Sequence, residues 1–177
     1  MEAARSQGIL PNNGLPEDRL PPPNNDHLAP ELDVIMPVYL FIGKGEQQEP
    51  TYRHWSLVWV LPWRLQRPPS GYAAVRTLEL TQEFPALHLT NWGPLTRTRY
   101  VQSLQMGLIP LGKLSFAERQ LLEQIAKNTP VYRPNGIYNC QHWVIDVISK
   151  GIHDGLPFDR TPIEEILRVN GRPDLLW

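Results

Sequence analysis

The only cysteine of the 177-residue chain, Cys140, stands in the string G-I-Y-N-C-Q-H-W-V-I-D-V-I-S-K-G, from Gly136 to Gly151. Asn139 before it has the side chain of a helix N-cap, whose oxygen can accept from free amides of the first turn. Trp143, Val144, Val147, Ile148 and Gly151 follow at i+3, i+4, i+7, i+8 and i+11 from Cys140, which makes one apolar helical stripe. Such a stripe buries the helix and leaves the sulfur at its positive end, where a thiolate is favoured. A nucleophilic cysteine also needs a proton acceptor. The candidate is His54, far upstream in T-Y-R-H-W-S-L-V-W-V.

In that chemistry His54 serves as general base or as imidazolium partner. The amides at the helix start, flanked by the polar side chains of Asn139 and Gln141, could stabilise both the thiolate and a developing oxyanion. A third polar group usually orients the histidine. The strand next to that of His54 offers Arg76, Thr77 and Glu79, and the strand after it offers His88; spacing does not choose among them. Tyr52, two residues before His54 and on the same strand face, is a candidate substrate contact. Trp55 and Trp143 are candidates to wall a cleft near Cys140 that takes a small-molecule or peptide substrate. His142 points away from the sulfur on a helix and reads as a packing or hydrogen-bonding residue. His27 and His153 fall in irregular segments. The histidines have no metal-ligand spacing, so no metal or other cofactor is expected.

The elements that must position these residues can be read in order. Residues 1–30 hold six prolines and clustered asparagines, a composition expected to be a disordered or loosely wrapped arm, with a protein partner as its possible use. A single α+β domain is expected over 31–177. Its first strand begins near Val34 and stops at the turn Gly43-Lys44-Gly45, and Pro37 suggests an edge or a strand start. A second strand runs from Tyr52 to Leu61, nearly all apolar and so covered on both faces. A loop, P-W-R-L-Q-R-P-P-S-G, leads to a third strand from Gly71 to Leu80. Further strands are expected at Ala86–Asn91 and Tyr100–Ile109. Ser115-Phe116-Ala117-Glu118 is a capping box that opens a helix ending before Pro130. The Cys140 helix follows. A last helix is expected to open at a second capping box, Thr161 to Glu164, and to end at Asn170-Gly171. The architecture is an antiparallel strand meander packed against the late, cysteine-bearing helix.

Composition narrows the partners. The chain carries 17 basic and 18 acidic residues without a basic run, which gives no electrostatic footing for nucleic acid. One cysteine permits neither an internal disulfide framework nor a multi-cysteine zinc site, and a free thiol fits a reducing compartment most easily. No signal-peptide core and no run of 18 apolar residues is visible. A soluble, cytoplasmic protein is expected.

The strings His54-Trp55 and Asn139-Cys140-Gln141-His142-Trp143-Val144 resemble the circularly permuted papain-like (NlpC-type) cysteine enzymes. In the lecithin:retinol acyltransferase-like group the strand histidine is followed by Trp, and the nucleophile opens a helix in an N-C-E-H-F-V string. PPPDE-type peptidases have a similar N-C-N-H-F. The layout is also similar to uncharacterised fungal proteins that pair an H-W strand with a late N-C-x-x-W-V helix, over most of residues 36–150. The resemblance implies Cys140 as nucleophile and His54 as base. It does not supply the third member: in the acyltransferase group a second histidine or polar residue lies on the strand after the first histidine, and the strand G-Y-A-A-V-R-T-L-E-L has no histidine. The expected function is a cysteine-dependent hydrolase or acyltransferase that acts on an amide, isopeptide or ester through an acyl-enzyme. Its rival is a catalytically inactive interaction module on the same fold. A redox sensor, or a cysteine buried simply as a small apolar residue, are the remaining readings.

Overall fold

A computed structural model describes residues 2–43, 49–63, 69–83 and 88–176. The turn expected at Lys44-Gly45, residues 64–68 of the following loop, and the strand start expected at Ala86 lie outside the described residues. Seven strands and four α-helices are found among the described residues: β1 (Met36–Ile42), β2 (Trp55–Leu61), β3 (Tyr72–Leu78), β4 (Thr81–Glu83), β5 (His88–Thr90), β6 (Leu95–Tyr100), α1 (Val101–Gln105), β7 (Leu108–Leu114), α2 (Phe116–Asn128), α3 (Cys140–His153) and α4 (Arg160–Val169). Five strands form an antiparallel sheet in the order β6-β3-β2-β1-β7, and β4 pairs with β5 separately. The fold is α+β.

Both faces of β2 are covered, which accounts for its apolar run. One face, with Leu40, Trp55, Leu57, Trp59 and Leu78, packs into the main core with Leu122 and Ile125 of α2 and Val144, Val147 and Ile148 of α3. The opposite face presents Val58 and Val75 to Leu104 of α1. Each fully buried Val, Leu or Ile stabilises the fold by about 1.5–3 kcal/mol, so the stripe of α3 is the main force seating that helix. Pro37 tolerates its place in β1 because the ladder to β2 begins only at Tyr39; the strand is interior to the sheet, and Pro37 stands near its start.

Three expectations change. The single strand expected over Tyr100–Ile109 is instead the end of β6, the helical turn α1 and the start of β7. That turn lets Leu104 cover the second face of the sheet, and Gly107 permits a close pass where a Cβ would lie 2.4 Å from the Ile42 carbonyl oxygen. The last helix is capped by Asp159, whose Oδ1 accepts from the Thr161 amide at 2.9 Å, so Thr161 is inside the helix. His54 stands immediately before β2, outside the strand proper. The capping box at Ser115 and Glu118 and the Asn139 cap form as their sequences imply.

Residues 2–35 follow the wrapped course. Leu10 donates its amide to the Val131 carbonyl at 2.7 Å, the Arg5 guanidinium pairs with Asp146, and Ala4, Leu10 and Ala29 enter the main core. These few apolar residues are spread among the prolines, too thinly to register as a pattern.

Candidate functional site

Three pieces of chain meet at the N-terminus of α3. Because β2 and β3 are antiparallel with Leu57 opposite Leu78, the residue just before β2 and the residue just after β3 lie at the same end of the sheet. Those residues are His54 and Glu79. Helix α3 packs against β2 and brings its first residue, Cys140, to the same end. Trp143, Val144, Val147 and Ile148 are fully sealed, whereas Cys140 is half-buried at the mouth of a cleft of about 180 Å³.

The imidazole of His54 meets the other two groups differently. Its Nε2–H donates to Glu79 Oε2 at 2.8 Å, which leaves Nδ1 as the remaining ring nitrogen, and the ring shares the wall of the cleft with Cys140. Burial opposes a charge on His54, but the hydrogen bonds and negative charges of Cys140 and Glu79 outweigh it and push its pKa up to about 10. Glu79 is held from behind by Arg97 and Arg99 of β6, whose guanidinium nitrogens lie 3.4 and 3.6 Å from Oε1. Burial disfavours the Glu79 charge, yet His54 and these two guanidiniums keep its pKa below the ordinary carboxylate value. The imidazole and the carboxylate are therefore both on their charged side at neutral pH.

The other candidate residues divide clearly. Arg76 points to the helix side of the sheet, donating to Glu123 at 2.7 Å and pairing with Asp26, so it takes no part in that pair. Thr77 is buried, with its hydroxyl toward the Val75 carbonyl. His88 donates from Nε2 to the Gly14 carbonyl at 2.7 Å; Gly14 has φ of +72°, and a Cβ there would lie 2.1 Å from the Leu89 oxygen. His88 thus fastens the wrapped N-terminal segment to β5. Asn139 caps α3 by accepting from the Gln141 amide at 3.0 Å, and its Nδ2 donates to the Thr51 carbonyl at 2.9 Å. Gln141 is fully buried, away from the cleft, where it donates to the carbonyls of Pro50 and Arg53. His142 is also buried, its pKa held down to about 4 chiefly by burial and by the Arg172 charge. It is neutral and gives its Nδ1–H to Asn139 Oδ1.

Tyr52, 76% exposed, stands on the rim of the cleft. A second hollow of about 240 Å³ continues from there and shares Tyr52, Gln82, Leu89 and Asn139 with the first. Its further walls are Pro134, Ile137 and Tyr138, with no charged side chain among the described residues. Trp55 and Trp143 lie in the core and wall neither hollow. No group of three or more His, Cys, Asp or Glu side chains among the described residues could hold a metal ion, and no helix among them is long and apolar enough to cross a membrane.

Sequence reasoning did not find Arg97 and Arg99. The alternation in L-T-R-T-R-Y puts both on one strand face, a signal that a partner carboxylate would have completed. The fold and site together describe an α+β protein in which a hydrogen-bonded histidine–glutamate pair shares a cleft with a cysteine at a helix start. No protein-family model matches the chain, and no curated protein or solved structure is significantly similar to it.

Proposed function

We propose that the protein is a cysteine-dependent hydrolase or acyltransferase of the permuted papain-like kind, acting on an amide, isopeptide or ester. The observation that carries the reading is the His54 ring bonded to the Glu79 carboxylate on the wall of the same cleft as Cys140. Glu79 fixes the tautomer and plane of the ring and sustains its positive charge. His54, as imidazolium, holds the sulfur as thiolate before substrate arrives. The thiolate attacks the carbonyl carbon, and the amides at the start of α3 receive the developing oxyanion. As the carbon–nitrogen or carbon–oxygen bond breaks, His54 gives its proton to the leaving atom. Water or an acceptor alcohol or amine then attacks the thioester, passes a proton to His54 and restores the thiolate–imidazolium pair. The uncharged hollow beside the cleft suits an uncharged, partly apolar portion of the substrate next to the reacting bond.

The test is alkylation of Cys140 by iodoacetamide across pH, followed by intact-mass detection of an acyl-enzyme with activated esters and amides. The expected result is alkylation of Cys140 that His54→Ala slows, and a +acyl mass that Cys140→Ser abolishes. A Cys140 no more reactive than a free thiol, with His54→Ala changing nothing, would leave a non-catalytic interaction module on this fold as the better reading.

A further inference from the structure

The segment that delivers His54 has little to hold it. Residues 50–52 form a single 3-10 turn, Arg53 follows in extended conformation, and β2 begins only at Trp55. On the far side, the His54 carbonyl accepts from the Gly43 amide at 2.8 Å. On the near side, the side-chain hydrogen bonds that grip the turn among the described residues come from the two residues flanking Cys140. Gln141 Nε2 donates to the Pro50 carbonyl and to the Arg53 carbonyl, each at 2.7 Å, and Asn139 Nδ2 donates to the Thr51 carbonyl at 2.9 Å. The two carbonyls facing one end of the Gln141 amide fix which end is the nitrogen, since only that end has hydrogens to give.

We propose that Gln141 is a positioning residue that couples the nucleophile helix to its proton partner: by holding the Pro50 and Arg53 carbonyls it sets where the His54 ring stands relative to Cys140. The inference rests on the reading of Cys140 and His54 as a reactive pair. Both hydrogens of one amide are used on carbonyls three residues apart, so the turn must be curled for the bonds to form together. Arg53 is adjacent to His54 in the chain, and an error of an ångström there would carry directly to the ring. The Gln141 side chain is itself fully buried, so losing its donors leaves two carbonyls short of a partner on that side. Cys140 lies between the two clamping residues, so a shift of the helix start moves sulfur and imidazole together. That keeps their separation constant when the surrounding cleft breathes.

The experiment compares wild type with Gln141→Met, which keeps the volume and removes the donors, and with Gln141→Glu, which sets a carboxylate against two carbonyls. Each is also made in the His54→Ala background. The expected result is that Gln141→Met slows alkylation of Cys140 at pH 6 by tenfold or more, while adding it to His54→Ala slows the reaction less than twofold further. The NMR titration midpoint of His54 in Gln141→Met should fall toward that of a free histidine, a readout that needs no reaction at the sulfur. An alkylation rate equal to wild type, an equal loss in both backgrounds, or an unmoved His54 midpoint would overturn the clamp. Should Gln141→Met fail to fold, the same two readouts are taken on Gln141→Glu. If wild type alkylates no faster than His54→Ala, the reactive-pair reading itself fails, and the His54 midpoint still reports whether Gln141 positions the ring.

Discussion

Among the carboxylates that face guanidinium groups in this protein, Glu31 and Glu79 have surroundings that could hardly differ more. Glu31 meets Arg119, which is fully buried and spends all three nitrogens: on Glu31 Oε2 at 2.9 and 3.2 Å, on the Val34 and Leu114 carbonyls at 2.8 and 2.9 Å, and on the Leu32 carbonyl at 2.7 Å. The other oxygen of Glu31 accepts from the Trp59 indole. Glu79 meets Arg97 and Arg99 at 3.4 and 3.6 Å, where contacts are electrostatic more than hydrogen-bonded, and Arg97 Nε is left without a hydrogen-bond partner. Its one short bond is to an imidazole whose side chain is 43% exposed. Saturation and sealing make the first cluster a fastening. Slack, exposure and a titratable ring set the second one apart and, on the proposed function, suit it to moving a proton.

Removing one partner should separate the two roles. Glu31→Ala leaves the Arg119 charge buried and unpaired, and the expected loss is about 3–5 kcal/mol in urea unfolding. Alkylation of Cys140 in the molecules that remain folded should not change. If it does change, the two regions are coupled, and the contrast between fastening and site is too simple. His54→Ala should do the reverse. At pH 6 alkylation should fall about 10²-fold, while the unfolding free energy from urea titration changes by less than about 1 kcal/mol, as for substitutions outside the core. A large stability loss with unchanged alkylation would make His54 a structural residue.

Glu79→Gln sharpens the comparison with a smaller effect. The amide can still accept the Nε2–H bond, so the ring keeps its place and loses the charge that favours its protonation. The His54 midpoint, followed by its ring-proton resonance, should drop from about 10 by about 1–3 pH units. If the drop is absent, Cys140 alone sustains the imidazolium, and Glu79 has the same fastening role as Glu31.

The sequence made Cys140 easier to read than its setting. The stripe from Trp143 to Gly151 and the Asn139 cap are local patterns with a fixed period, and they placed Cys140 at a helix start without knowledge of the rest of the chain. Glu79 was one of four candidates for the third position, because the choice depends on strand register. Register is set across a long connection between β2 and β3, and no local pattern encodes it. Gln141 gave no signal of its buried role, since a polar residue in the first turn of a helix ordinarily faces water. The wrapped segment before β1 was hidden for a different reason. Its few anchors, Ala4, Leu10 and Ala29, are isolated among prolines and asparagines and gain their value only from the core that receives them. Short helices such as α1 form because the sheet's second face needs Leu104, a tertiary demand that propensity cannot report.

The smallest expected effect concerns how stability varies with pH, and its sign follows from the direction of each displacement. His54 is raised from 6.5 to about 10, so its contribution is complete below pH 6.5 and declines as pH rises toward 10. Glu79 is lowered from 4.5, so its contribution is complete above that pH and is lost as pH falls through the depressed value. Together they favour the folded state most between pH 4.5 and 6.5. Solvent at the exposed imidazole screens the gain, so the decline in urea midpoint between pH 6.5 and 10 should be shallow. Replacing His54 with Gln should flatten that decline, whereas Glu31→Ala should lower the whole curve and keep its slope. A slope that persists without His54 would assign the pH dependence to other groups and remove the link between the charged ring and folding.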